Sequence, residues 1–123
     1  MVQMRGGVAI KRAYEEPAPA DGYRVLVDRL WPRGVRKESS RLDAWLKDIA
    51  PSPGLRKWFG HDPSRWEEFR RRYRGELASP ERRELLADLA DRAREGPVTL
   101  VYGARDEEHN GAVVLREVLE EMI

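Results

Sequence analysis

Charged and aromatic side chains cluster directly after a short apolar run near residue 28. The run Arg24–Asp28 ends in a carboxylate, the cation Arg29 comes next, and Trp31 and Arg33 follow in a turn with proline and glycine. A carboxylate at a strand end can act as a general base, and arginine can bind a phosphate or carboxylate through two parallel hydrogen bonds. The segment therefore predicts a catalytic Asp28 beside three ligand-binding residues, Arg29, Trp31 and Arg33. The alternative is a structural Asp–Arg ion pair that fixes the turn.

A second polar group follows another apolar run, in the segment Tyr102–Asn110. Backbone N–H groups at the start of a helix favour anions, and histidine changes its charge near neutral pH. We therefore predict that His109 transfers protons and that Arg105 and Asn110 bind the ligand. Against this prediction, residues 106–108 are acidic and would repel an anion. Asp106 is also a good N-cap, which would place His109 in the first helical turn.

His61 is a third candidate, because it lies between Gly60 and Asp62 and has no helical role to fill. We predict that it faces the same cleft and contributes to ligand binding. Plain exposure on a surface loop explains its position equally well. The run Arg70–Arg72 is most simply a solvated helix face.

Short apolar runs predict the strands that would position these side chains. Arg24–Asp28 and Val98–Tyr102 are typical of strands buried on both faces of a parallel sheet. Val8–Arg12 predicts a further strand, which either pairs antiparallel with the next strand or crosses by a loop alone. Ligands bind off the carboxyl ends of the strands in open α/β sheets. We therefore expect the polar groups that follow the two buried-type strands to share one pocket.

Apolar spacing and cap residues predict helices between and after these strands. The first would carry Leu42, Trp45, Leu46 and Ile49 on one face, with a cap at Ser39 or Ser40 and a stop at Pro51. Three more would begin at Ser52-Pro53, Asp62-Pro63 and Ser79-Pro80, and the last would end the chain. In the third helix, Trp66, Phe69 and Tyr73 are expected to face the core. The order predicts a single α/β domain over residues 1–123, with a mainly parallel three- to four-stranded sheet and helices packed on it.

Composition excludes several classes of protein. The 123 residues contain no cysteine and two histidines, so we expect no thiol nucleophile, no metal site and no cofactor. The net charge of +1 does not favour a nucleic-acid binder. Residues 1–11 have no long apolar core, and no apolar run is long enough to span a membrane, so we expect a cytoplasmic protein. Many arginines with few amide side chains fit either a thermophile or a GC-rich genome.

Three longer blocks resemble a known family: VLVDRLWPRG, then LDAWLKDIAPS with LRKWFGHDPSRWEEFRRRY, then LVYGARDEEHNGAVVLREVL. The chain is similar to the YeaO-like branch of the bacterial "domain of unknown function 488" family, which implies a compact α/β domain of uncharacterised activity. The wider family has a strand that ends in Asp and Arg, as at Asp28 and Arg29, and a later helix start that resembles Cys-His-Arg. The resemblance matches His109 to that histidine but places Glu108 where the family has cysteine. It therefore argues against thiol chemistry in this branch.

Three functional hypotheses remain open. The leading one is an enzyme-like cleft that binds a small anionic ligand of the nucleotide or phosphoester class. The alternative is a non-enzymatic module that binds a protein or nucleic acid through a tryptophan- and arginine-rich surface, including Trp31 and Trp58. The third is that the polar groups form a buried ion-pair network with a structural role only.

Overall fold

A four-stranded parallel sheet forms the centre of the structure, a computed structural model that describes residues 7–123. The strands are β1 (Gly7–Arg12), β2 (Tyr23–Leu26), β3 (Ala44–Trp45) and β4 (Pro97–Tyr102), in the order β1-β4-β2-β3. β2 and β4 are adjacent and parallel. Their side chains are buried on both faces, which explains their continuous apolar character. The predicted α/β class and three- to four-stranded sheet are confirmed.

The first strand connects to β2 by a loop crossover, which is one of the two predicted alternatives. β1 pairs in parallel with β4 and does not touch β2 in the sheet. The connection holds only one 3-10 turn, Pro19–Asp21, before it enters β2. Gly22 ends that turn with a φ of 65°, and a Cβ there would lie 2.2 Å from the Pro97 carbonyl oxygen. Only glycine therefore fits where this loop passes the start of β4.

The helix predicted around Leu42–Ile49 is wrong. Helix α1 (Lys37–Ser40) lasts a single turn and ends at Arg41, whose φ of 52° is left-handed. Ala44 and Trp45 then pair with β2 as the edge strand β3, and a 3-10 turn (Lys47–Ile49) follows. An apolar spacing of three, one and three residues fits a short strand plus a turn as well as it fits a helix. The free edge of β2 provides hydrogen-bond partners for this backbone, and such tertiary pairing overrides helix propensity.

The other predicted helices form where their caps lie. They are α2 (Pro53–Phe59), α3 (Trp66–Leu77), α4 (Pro80–Glu95) and α5 (Gly111–Met122). Ser52 caps α2 by accepting the Leu55 N–H at 3.2 Å, and Gly60 ends that helix in the left-handed region. Asp62 accepts the Ser64 N–H and begins a 3-10 turn that leads into α3. None of the helices in residues 7–123 is long and apolar enough to cross a membrane.

The core lies between the sheet and helices α3, α4 and α5. Phe69 and Tyr73 are buried in it as expected, and the Tyr73 hydroxyl donates to the Ile49 carbonyl at 2.6 Å. Trp66 is only half-buried, because it lies at the end of α3 beside the loop that carries His109. This end of α3 connects the core to the site described next.

Candidate functional site

A pocket of about 310 Å³ lies at the carboxyl ends of β2 and β4. It is the place where the topology of a parallel sheet puts ligands. Six residues that the sequence singles out line it: Asp28, Arg29, Trp31, His61, His109 and Asn110. Residues from α2 and α3 close its floor, among them the buried rings of Phe59 and Phe69. The two polar groups of the sequence therefore share one pocket, and their roles remain predictions.

Asp28 joins the ends of the two central strands. Pairing of β2 with β4 continues to Val27, whose N–H donates to the Val101 carbonyl at 3.0 Å. The Asp28 carboxylate then accepts the Gly103 N–H at 2.8 Å. A Cβ on Gly103 would lie 3.3 Å from that carboxylate, so glycine permits the close approach. Within residues 7–123, Asp28 has no cation within 4.0 Å, and the structural ion pair considered above is not formed.

The electrostatics of Asp28 are set by burial. Burial raises its pKa above the ordinary value of 3.8, while the Gly103 hydrogen bond and the charges of Arg56 and His61 lower it by less. Removal of a carboxylate from water disfavours its charged form, which is why burial acts in this direction. Asp28 therefore holds a proton more readily than an aspartate in water does.

Replacing Asp28 with asparagine should change how stability depends on pH. Because the folded pKa is raised, the stability contributed by Asp28 is fully present below the unfolded pKa and is lost as pH rises through the folded pKa. Asparagine does not ionise and still accepts the Gly103 N–H. The variant should therefore gain free energy of unfolding, relative to the native chain, between about pH 4 and pH 7. Urea denaturation at both pH values measures this difference.

Asp62→Asn is the opposite-sign control for this experiment. Hydrogen bonds from the Ser64 hydroxyl and N–H lower the pKa of Asp62, so its contribution is present above the unfolded pKa and is lost as pH falls. That variant should lose stability, relative to the native chain, as pH rises from about 2 to about 4, and the difference should then stay constant up to pH 7. Parallel curves for Asp28→Asn and the native chain would show that Asp28 is not desolvated.

Two arginines line the pocket without a carboxylate partner. Arg29 is half-buried, and its guanidinium reaches the Ala50 and Pro51 carbonyl oxygens only at 3.4 Å. Arg56, on α2, is exposed and makes no ion pair within 4.0 Å to any residue in the described part of the chain. The arginines of α3 differ, since Arg71 and Arg72 both bind Glu68. Within residues 7–123, the pocket thus holds two guanidinium groups whose charge no carboxylate offsets.

Sequence reasoning missed Arg56. Its one signal is its place in the last turn of a helix that ends at Gly60, next to the loop that holds His61. A cation in the last turn is also what the helix dipole favours, so this signal is not specific.

The loop before α5 orients His109. The Asp106 carboxylate accepts the N–H groups of Glu108 and His109 at 2.9 and 3.0 Å, and its second oxygen lies 2.9 Å from His109 Nδ1. These contacts, led by the Glu108 N–H, lower the pKa of Asp106. The His109 ring also packs edge-on against Trp66, with centroids 5.3 Å apart. Nδ1 is therefore occupied, and Nε2 has no hydrogen-bond partner in residues 7–123.

The alternative in which Asp106 caps the last helix is not the one that forms. Asn110 is the N-cap of α5, where its side chain accepts the Val113 N–H at 3.1 Å and donates to the Asp106 carbonyl at 2.8 Å. Asp106 instead holds the turn that precedes the cap. His109 consequently lies in the loop before α5 and not in its first turn. Either residue type can cap a helix, so the choice depends on the path of the loop.

The remaining predicted residues divide into two groups. Trp31 is half-buried, donates from Nε1 to the Val35 carbonyl at 2.8 Å and packs edge-on against Trp45. His61 is exposed in the lining, with a left-handed φ of 57°. Arg33 and Arg105 are exposed and do not line the pocket. Both lie in loops, several residues beyond the strand ends.

Other charged groups do not form a comparable site. A larger open groove of about 920 Å³ lies near the start of β2, but its Arg24 is bound to Asp21 at 2.6 Å, and its Asp43 accepts the Arg24 N–H. Over residues 7–123, no three histidine and acidic side chains are grouped so that they could hold a metal ion.

Comparison with known proteins identifies relatives along nearly the whole chain. The protein YeaO of Escherichia coli K12 is 43% identical over 115 residues, which cover 94% of this chain and 98% of YeaO. The protein Rv3073c of Mycobacterium tuberculosis H37Rv is 43% identical over 112 residues, which cover 91% of this chain and 92% of that protein. Both carry names that call them uncharacterized. No solved structure matches the chain significantly.

A family model described as the "Inactive DUF488-N3 subclade" matches residues 7–123. The match spans every strand and helix described above, and the pocket lies wholly within it. The resemblance seen in the three sequence blocks is thereby confirmed. The chain belongs to the YeaO-like branch of the domain of unknown function 488 family, in this inactive subclade.

Proposed function

We propose that the pocket binds a small anionic ligand of the nucleotide or phosphoester class. The observation that carries this proposal is the pair of unpartnered guanidinium groups, Arg29 and Arg56, in one lining. His61 and His109 add two further groups that can carry positive charge, against a single carboxylate, Asp28. Burial raises the pKa of that carboxylate above its ordinary value.

Binding is better supported than turnover. The family model that matches the chain is described as inactive. The chain has no cysteine, and Glu108 stands where the wider family's cysteine is expected. Asp28 and His109 remain predicted proton-transfer residues, and Asp106 already fixes one nitrogen of His109. We therefore assign these two residues to ligand contact first and to catalysis second.

The alternative, a binding surface for protein or nucleic acid, has weaker support. Trp58 is the aromatic residue of that surface, but the guanidinium groups of Arg65 and Arg72 lie 5.3 and 4.4 Å from its ring centre. Arg72 also pairs with Glu68 at 2.7 Å, a carboxylate that it shares with Arg71. The Trp58 ring and these charges are thus engaged with each other, whereas Arg29 and Arg56 in the pocket have no carboxylate partner in residues 7–123.

The proposal predicts that Arg29→Gln and Arg56→Gln weaken binding of ribose 5-phosphate. Each removes a charge-assisted hydrogen bond, so affinity should fall about tenfold or more, with little change in unfolding free energy. Isothermal titration calorimetry measures the affinity, and thermal unfolding checks the fold. Arg83→Gln, an exposed arginine on α4 outside the pocket, is the matched control and should bind as the native chain does.

The affinity of Arg105→Gln for ribose 5-phosphate distinguishes the site predicted from the sequence from the site that the structure indicates. The sequence predicts that Arg105 binds the ligand, whereas its place outside the lining predicts an unchanged affinity. Equal affinities for the native chain, Arg29→Gln and Arg56→Gln would contradict the proposal.

A further inference from the structure

An exposed leucine lies in the lining of the pocket. Leu30 is 60% exposed, and the other large hydrophobic residues exposed in residues 7–123 are Tyr14 and Ile123, neither of which lines this pocket. Leu30 stands between Arg29, which carries a free charge, and Trp31, which is half-buried. A single exposed leucine on an open surface is ordinary, but one inside a concave ligand site offers apolar area to whatever binds there.

The rest of the lining continues this apolar area. Pro51 and Ala104, both half-buried, contribute aliphatic surface, and the buried side chains of Ala50, Phe59 and Phe69 lie beneath. The volume of about 310 Å³ is near the lower end for pockets that enclose whole small molecules, and it far exceeds one phosphate group. A bare anion would leave both the cavity and Leu30 in contact with water.

We infer that the ligand is a phosphomonoester that carries an aromatic ring, such as a nucleoside 5′-monophosphate or an aryl phosphate. This inference rests on the proposed function and adds the substrate class to it. The anionic group contacts Arg29 and Arg56, and the ring covers Leu30 beside Trp31. Covering apolar surface favours binding in proportion to the area removed from water. Esters with an aromatic ring should therefore bind about tenfold more tightly than ribose 5-phosphate, whose only ring is a polar sugar.

The test compares three probes, namely ribose 5-phosphate, phenyl phosphate and adenosine 5′-monophosphate, on the native chain and on two variants. Leu30→Ala should remove most of the advantage of the esters with an aromatic ring and leave the affinity for ribose 5-phosphate within about twofold. Ile123→Ala removes an apolar side chain that is 42% exposed and lies outside the pocket, and it should change neither affinity. Both positions are exposed, so the variants should unfold at the temperature of the native chain.

The outcomes separate this inference from the proposed function. An advantage for adenosine 5′-monophosphate alone, lost in Leu30→Ala, supports a nucleotide ligand, and an equal advantage for phenyl phosphate supports any aromatic ring. Equal affinities for all three esters, or an advantage that persists in Leu30→Ala, would overturn the inference while the arginine-dependent binding stands. Absence of binding by every ester at about 1 mM would overturn both.

Discussion

Replacing Phe69 with alanine should lower the free energy of unfolding by about 3–5 kcal/mol. Phe69 is 2% exposed, and its ring stacks on Phe59 with centroids 4.3 Å apart. It also contacts the rings of Trp66 and Tyr73, at 5.7 Å in each case. Truncation removes these contacts and leaves a cavity that rigid neighbouring rings fill only partly. Chemical denaturation measures the loss.

The same substitution should also weaken ligand binding, because Phe69 belongs to the floor of the pocket. Phe69→Leu is the graded control: it keeps most of the volume and should cost less than about 1.5 kcal/mol. Arg83→Ala on the exposed face of α4 should stay within about 0.5 kcal/mol of the native chain. A near-neutral Phe69→Ala would mean that the aromatic cluster is not packed as described.

Replacing Arg24 with alanine should be comparably severe, about 3–5 kcal/mol. Arg24 is 3% exposed, and its guanidinium binds the Asp21 carboxylate at 2.6 Å and the Ser40 carbonyl at 2.9 Å. The substitution strands a buried carboxylate and a buried carbonyl. Lys11, which lies 3.1 Å from the same carboxylate, should keep the loss toward the lower end of the range. This buried ion-pair network lies near the start of β2, away from the pocket, and includes none of the polar groups for which a structural network was considered.

Two further measurements would show that the loss of the ion pair causes the lower free energy of unfolding in Arg24→Ala. Burial alone would raise the pKa of Asp21, but hydrogen bonds from the Ala18 N–H, Lys11 and Arg24 together lower it, so the stability from this carboxylate is present above pH 3.8 and is lost as pH falls through the folded pKa. A double variant, Asp21→Asn with Arg24→Met, removes both charges and should recover part of the loss. A double variant no more stable than Arg24→Ala would attribute the effect to packing alone.

The sequence predicted those parts of the fold that local chemistry determines. Ser52-Pro53 and Ser79-Pro80 mark helix starts because a cap followed by proline suits the first turn, whatever the rest of the chain does. The continuous apolar runs of β2 and β4 likewise require burial on both faces. β3 was not predictable in this way, because two residues become a strand only when the edge of β2 is available to them.

The residues of the site also differ in how far the sequence predicts them. Asp28 and Arg29 are marked by their place directly after a buried strand, and the topology then brings them to His109. Arg56 comes from a helix with no special pattern, so only the packing of α2 beside the strand ends shows its role. Arg33 and Arg105 have the right chemistry but lie on loops whose direction the sequence does not specify.

The most direct test of the central claim is to map where ribose 5-phosphate binds, by following backbone amide signals in a nitrogen-15 NMR titration. We predict saturable shifts at Gly103, His109 and Gly111, with a dissociation constant below about 1 mM. The amides of Arg83 and Asp88 on the exposed face of α4 should not move. Amide shifts centred on Trp58 and Arg72 would contradict the account. So would saturable binding at another site with no shifts among the pocket amides.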